Sequence, residues 1–395
     1  MEKLNLAFYT DTYEPAIDGV VSSIVNFKKE LESRGHSVYI FTSTKFLSKA
    51  PKRKNIFLYP GVGFKPYPQY SMALFPYNSI LKLSKLDIDI IHAQTPFFMG
   101  FAGMMSAKLG KYPIVGSFHT MVNNKSVIND YYPKNPQLRK LTSKYLWKYV
   151  IFFYKKCNVT ISPSNVITQM LKSHGLNTVT TVPNSVDTTH FTPKISGDQF
   201  RQSMGIKDNE KIVLYVGRLS KEKKLDVLLK AAKTLSKRKK DIKFLIAGSG
   251  PADIYYKIIM RRLGLENVQF LGPISREKLP EVYAAADVFC IPSTFETQGI
   301  VALEAMASGK PVVCADYLAL KELIINGKNG EKFNPGDYLA CSKKIEKALN
   351  NSDAYIKEAV NTAMRFSPSK VTDKLLEVYD SVLNQDKEQT NKLLN

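Results

Sequence analysis

The feature that most limits the folds open to this chain is a repeated alternation of short apolar runs with amphipathic helical stretches. LNLAFYT (4–10) reads as a buried strand. After a loop to Gly19, VVSSIVNFKKELESR (20–34) has the spacing of an amphipathic helix stopped by Gly35, and SVYIFT (37–42) reads as the next strand. Further strands are expected at DIIHAQ (89–94), PIVGSFH (113–119), NVTISPS (158–164) and VTTVPNS (179–185), most of them separated by helical patterns. The series restarts at KIVLYVGRLS (211–220) and continues through KFLIAGSGP, VQFLGPI, DVFCIPS and PVVCADY, again with helices between. Strands alternating with helices imply a parallel sheet covered on both faces. Two such series predict an α/β chain of two doubly wound, Rossmann-like domains, 1–186 and 187–367, which suits a length of 395 residues. PNSVDTTHFTPKISGDQF (183–200), rich in turn formers and without periodicity, is the expected hinge. A last amphipathic helix at 368–385 is expected to pack back on the first domain, with the final ten residues frayed.

Charge then narrows the partners. The chain carries a formal net charge of +21, and the excess is uneven: 23 basic against 9 acidic residues in 1–186, but 33 against 26 in the remainder. A basic first half favours an anionic partner such as nucleic acid, anionic lipid or a phosphorylated ligand. Cys157, Cys290, Cys314 and Cys341 form no CxxC pair and suggest reduced thiols, a cytosolic setting and no zinc site. The start of the chain shows no leader pattern, and the aromatic run YVIFFY (149–154) is too short to span a bilayer, so membrane contact is expected to be peripheral.

Ligands of open parallel sheets bind at the carboxyl ends of the strands, so the strand-to-helix loops are the places to search. In YTDTYEPAIDGVV, Gly19 at the helix start would let backbone N–H groups approach a phosphate, although an ordinary turn glycine would read the same and GxGxxG is absent. GRLSKEKKLD places Arg218 and Lys223 near a strand end, where they suit a diphosphate or are simply a solvated basic loop. AGSGP offers Gly248 and Gly250, a short GxG of low specificity, and no P-loop is present. Asp87 and Asp89 of DID fall at the amino end of a strand, the wrong edge for a metal–nucleotide site. The most informative loop is TFETQGIVALEAM (294–306), with Glu296 and Glu304 eight positions apart around a helix start. As one continuous helix that interval would span about 12 Å, comparable to a sugar joined to a diphosphate and ribose. Gln298, Gly299 and Ile300 would present N–H groups to an anion, and the carboxylates would accept bonds from paired hydroxyls.

DGVVSSI, GRLSKEK, AGSGP, ADVFCIPS and the E-x7-E of 296–304, in this order and spacing, resemble the retaining nucleotide-sugar glycosyltransferases of family 4 over nearly the whole chain. The resemblance implies a GT-B fold, two Rossmann-like domains facing across a cleft. It implies that Glu296 contacts the donor sugar, Glu304 the ribose hydroxyls, Arg218 and Lys223 the diphosphate, and Gly19 the phosphates. His119 in SFHT would lie near the sugar, and the base would lie near Pro273–Ile274. The family often has two glycines where this chain has Asp18-Gly19, which puts the approach on the Asp18 side in question. ETQG and TDTYEPAIDGVVSSIVN resemble the diacylglycerol glucosyltransferase branch. That branch implies UDP-glucose as donor, a lipid hydroxyl as acceptor, and no cofactor or essential metal. A GDP-mannose-dependent mannosyltransferase and a nucleotide-sugar epimerase of the same fold stay open; nucleic acid is not an expected partner. PQLRKLTSKYLWKYVIFFYKKC (136–157) sets Leu138, Leu141, Tyr145, Tyr149 and Phe153 among Arg139, Lys140, Lys144, Lys148, Lys155 and Lys156. Such a helix suits an anionic membrane surface, or a domain helix with a solvated basic face. The aromatic loop GFKPYPQYSMALFPY (63–77) could meet lipid or pack internally. A cytoplasmic protein, peripheral on the inner face of the cell membrane, is the localisation these readings imply.

Overall fold

The computed structural model of the chain describes residues 2–16, 18–45, 53–63, 71–73, 78–119, 135–239 and 241–394. It divides into two compact units, 1–185 with 368–395, and 186–367. In the first unit the strands are β1 (Asn5–Thr10), β2 (Ser37–Lys45), β3 (Ile56–Gly63), β4 (Ser71–Ala73), β5 (Ile90–Ala93), β6 (Ile114–Ser117), β7 (Val159–Ser162) and β8 (Val179–Thr181). They form one sheet in the order β4-β3-β2-β1-β5-β6-β7-β8, parallel except for the β3–β4 pair. The second unit holds β9 (Lys211–Val216), β10 (Ile242–Ala247), β11 (Val268–Gly272), β12 (Val288–Ile291), β13 (Val312–Ala315) and β14 (Gly330–Phe333), an all-parallel sheet in the order β11-β10-β9-β12-β13-β14. Each sheet reverses its strand order once, between β1 and β5 and between β9 and β12. At such a reversal neighbouring strand-end loops splay to opposite faces and open a crevice, so these two places position any ligand.

The second unit shows why the apolar runs are continuous. Along β9, Val213 and Tyr215 enter one core while Ile212, Leu214 and Val216 enter the other. A strand alternates its side chains with period two, so a sheet covered on both faces needs apolar residues at every position.

In the first unit the helix Gly19–Ser33 buries Val20, Val21, Ile24, Phe27 and Leu31, and ends at Gly35 with φ +88°. The helix Pro368–Leu394 belongs to this unit, with Val371, Leu375, Tyr379 and Val382 fully buried. Arg34 fastens its start through Asp373 at 2.6 Å, and the Tyr379 hydroxyl sits 2.6 Å from His92 Nδ1.

Several details differ from the sequence reading. β3, β4 and β14 have no counterpart in it: IFLYPGVG carries a proline and two glycines, SMA is three residues long, and GEKF is half polar. The last helix runs on to Leu394 because the tail holds no glycine or proline to stop it. Within 183–200, Val186 and Phe191 are buried in the second unit's core and a helix starts at Asp198, so part of this stretch is packed structure. Asp89 accepts the Asn5 N–H at 2.7 Å, a structural use of the rejected DID pair. Of the loop 63–77, only 63 and 71–73 fall within the described residues.

Candidate active site

The strand-end loops of β9 and β12 meet at the second unit's reversal. Thr294 N–H donates to the Glu222 carbonyl at 3.2 Å, and the Glu222 carboxylate folds under the loop to accept from Ser220 Oγ at 2.5 Å. Lys224 takes a left-handed conformation, φ +52°, which ends the short turn Lys221–Lys223. Lys223 Nζ lies 2.7 Å from Glu296 Oε1 and 3.2 Å from the Phe295 carbonyl. The side chains of this pair are 18% and 12% exposed, so the two charges are largely withdrawn from water yet reachable from it. Half-buried Arg218 stands at the head of the same loop, its carbonyl accepting from Tyr215 Oη at 3.1 Å.

Gly299 then turns the chain into the helix Ile300–Ala307 with φ +91°. A Cβ there would also come 2.8 Å from Leu320 Cδ2, so both conformation and space demand glycine. The helix start leaves the first-turn N–H groups of Ile300 and Val301 without an intrahelical acceptor, at the positive end of the helix dipole. Buried Gln298 precedes it. Glu304 lies inside the helix and is buried, and its Oε2 accepts from Tyr283 Oη at 2.9 Å. Burial raises its pKa to about 7, against the opposing pull of the Tyr283 hydrogen bond and the nearby Arg276 charge.

Gly248 and Gly250 have a purpose within the protein itself. A Cβ on Gly248 would sit 2.0 Å from the Gly217 carbonyl oxygen, and one on Gly250 would sit 2.4 Å from that of Leu219. The β9 and β10 loops are therefore locked together backbone to backbone, with Leu219 N–H to Ser249 O at 3.0 Å. Ile274, beyond β11, packs half-buried on the core.

In the first unit the strand-end groups are arranged differently. Asp18 caps the helix Gly19–Ser33, its Oδ1 accepting from Val20 and Val21 N–H at 2.9 Å each. The donors expected to greet a phosphate beside Gly19 are thus already engaged by a carboxylate, leaving the Gly19 peptide as the approach. His119, after β6, places Nε2 3.0 Å from Gln94 Oε1, and its surroundings push its pKa down to about 4 by desolvation, so it is neutral near pH 7. Asp11 is buried after β1. Thr95 Oγ1 donates to it at 2.5 Å and Met99 N–H at 3.0 Å, and burial raises its pKa to about 6 against those bonds.

Sequence reasoning missed Asp11, Gln94, Tyr283 and Arg276. Asp11 and Gln94 carried a usable signal, since both follow strands at their carboxyl ends; Tyr283 lies in an ordinary core pattern. Among the described residues, no group of three or more His, Cys, Asp or Glu side chains is placed to hold a metal ion. All four cysteines are buried and free.

Two Rossmann-like sheets of this kind in one chain define the GT-B class of fold. Residues 196–367 match the family model described as Glycosyl transferases group 1, and residues 17–190 match Glycosyltransferase Family 4. The alpha-monoglucosyldiacylglycerol synthase of Streptococcus pneumoniae is 32% identical over 328 residues, covering 81% of this chain and 73% of that protein. Its counterpart in Acholeplasma laidlawii is 28% identical over 349 residues, covering 85% and 86%. Anabaena HepE in complex with UDP and glucose shares the fold with a TM-score of 0.73 at 20% identity, over 96% of this chain and 100% of that one. The chain belongs to glycosyltransferase family 4 and is a glycosyltransferase.

Proposed function

We propose that this enzyme moves glucose from UDP-glucose to a hydroxyl of a membrane lipid of the diacylglycerol type, with retention at the anomeric carbon. The observation that carries the donor half is the Lys223–Glu296 pair, 2.7 Å apart beside the helix start at Gly299. A cation and a hydroxyl acceptor adjoin one anion-favouring helix end. The names of the two synthases above support glucose and the lipid.

In this reading Arg218, Lys223 and the N–H groups at Gly299–Ile300 neutralise the diphosphate as its bond to the sugar breaks, with no cofactor or essential metal required. Incoming phosphate draws Lys223 from Glu296, and the released carboxylate accepts the sugar hydroxyls. Glu304 takes the ribose hydroxyls, held in place by Tyr283. Gln298, Gly248 and Ile274 shape the walls for phosphate and base. From the first unit, neutral His119 hydrogen-bonds the sugar and Gly19 offers its peptide to the phosphate. No protein nucleophile is assigned.

The first unit's membrane face would be narrower than the helical stripe suggests. On the helix Pro136–Tyr154, Leu138, Leu141 and Tyr145 are exposed beside Lys140 and Lys144. Tyr149 instead donates to the Pro96 carbonyl, and Phe153 is buried against Phe101. Only the amino-terminal half of that stripe is available to lipid. Among the described residues no helix is long and apolar enough to cross a membrane.

The test is a transfer assay with diacylglycerol in anionic lipid micelles and radiolabelled UDP-glucose, UDP-galactose or GDP-mannose given separately. Label in the organic phase from UDP-glucose alone is expected. Label from GDP-mannose would make the enzyme a mannosyltransferase. Free sugar in water without lipid label would discard the lipid acceptor.

A further inference from the structure

The helix Asp253–Arg262 presents to solvent a face that the glycosyl-transfer reading does not use. Its inner side is ordinary core: Tyr256 is fully buried, and Ile259, Met260 and Leu263 pack on the second unit's cluster. Its outer side carries Ile254 at 74% exposure, Tyr255 at 46% and Ile258 at 41%. At 100° per residue Ile254 and Ile258 lie 40° apart and form the centre of that face. Arg261 and Lys257 flank them on one side, and Arg262 and Tyr255 on the other. Both arginines are exposed, and Lys221 of the neighbouring turn stands 5.9 Å over the Tyr255 ring. The one acid of the helix, Asp253, is paired with Lys257 at 2.9 Å.

Three large apolar side chains left in water on consecutive turns are costly unless something covers them. Bordering them with cations selects the occupant. A protein partner would have to supply both an apolar patch and several carboxylates in register. An anionic bilayer supplies acyl carbon and headgroup charge at every point of its surface. We infer that the helix Asp253–Arg262 is a membrane-contact element, seating Ile254 and Ile258 among the acyl chains of an anionic leaflet while Arg261, Arg262 and Lys221 meet its headgroups. The chain's net charge of +21 favours the same partner. This gives the nucleotide-binding unit a lipid contact of its own, separate from the helix Pro136–Tyr154 of the first unit. The inference deepens the lipid-acceptor reading above and rests on it for its purpose, though not for its test.

Because the four native cysteines are buried, Ile258→Cys in the full-length protein would take an environment-sensitive fluorophore at one place, with Ile254→Cys as an independent second position. The probes are vesicles of phosphatidylcholine alone and of phosphatidylcholine mixed equally with phosphatidylglycerol, with no donor sugar present. A blue shift on the mixed vesicles and little on the neutral ones is expected at both positions. Adding Arg261→Glu and Arg262→Glu should weaken the partition by about tenfold or more. Emission unchanged on both vesicles, while a label at Tyr145→Cys shifts, would overturn the inference. So would a shift that appears without vesicles as protein concentration rises, since a second copy would then be the occupant. The readout needs no turnover, so its failure is distinct from failure of the transfer reaction.

Discussion

The two sheets share a topology and a point of strand reversal, yet they dress that point with opposite chemistry. At the second unit's reversal, the helix start after Gly299 carries no capping carboxylate of its own, and cations stand beside it: Lys223 2.7 Å from Glu296, with Arg218 on the same loop. At the first unit's reversal, carboxylates occupy the helix starts themselves. Asp18 holds the N–H groups of Val20 and Val21, and Asp11 holds that of Met99. His119 there is neutral near pH 7, its pKa pushed down to about 4, and its partner is the Gln94 amide. In the proposed reading the second reversal takes the diphosphate, while the first, its helix starts already occupied by carboxylates, adds only the Gly19 peptide and neutral His119. A shared topology fixes where the strand-end loops open, and the capping residues set which charge each opening favours.

The largest expected effect breaks the second surface. Glu296→Ala should lower kcat/KM for transfer by about 10²–10³-fold with the thermal midpoint little changed. Lys223→Ala should be comparable, and unchanged turnover in either variant would remove the pair from the site. Gly248→Ala tests the scaffold beneath it. A Cβ 2.0 Å from the Gly217 oxygen must displace backbone, at a cost of about 2–4 kcal/mol in urea unfolding without any ligand present. A loss seen only in donor affinity would mean that Gly248 serves the ligand instead.

Next comes Glu304, whose pKa of about 7 lies above the ordinary value of 4.5. The ionised form accepts from both ribose hydroxyls, so UDP-glucose affinity should fall as pH drops from 8 to 6. Glu304→Gln should bind weakly at both pH values. For stability the sign is reversed. The folded state holds an extra proton between 4.5 and about 7, so this group's contribution is greatest at low pH and is lost as pH rises through 7. Glu304→Gln should flatten that difference in paired unfolding curves. Tyr283→Phe removes a bond that lowers this pKa, so it should move the affinity midpoint upward and weaken donor binding several-fold, as calorimetry across pH would show. The smallest effect sharpens the first surface. Asp18→Ala loses a helix cap and should cost about 1 kcal/mol of stability.

Much of this could be seen in the residues alone, and the exceptions share a cause. The buried parallel strands are continuous apolar runs, so their number and order of appearance stand out in the sequence. β14 does not, because its Glu331 is a fully buried charge in a strand. That carboxylate is tolerated through Lys344 at 2.5 Å, Lys347 at 2.6 Å and the Tyr355 hydroxyl at 2.9 Å, all from later helices. E-x7-E with its glycine was readable because its elements are neighbours in the chain. Tyr283 was not, because it reaches Glu304 from another helix; Lys223 was a named candidate, but its pairing with Glu296 spans 73 positions and could not be read. On Pro136–Tyr154 the stripe fits lipid or core equally, since periodicity marks an apolar face without saying how much of it a neighbour such as Phe101 covers.

The central claim is that the second unit's strand-end loops hold the nucleotide sugar. Amide hydrogen exchange of the full-length protein with and without UDP-glucose tests it most directly. The account predicts slowed exchange in 217–224 and 294–304, strongest at the helix start after Gly299, with a smaller change near Gly19. Slowing confined to 18–21, or none at all under saturating donor, would contradict it.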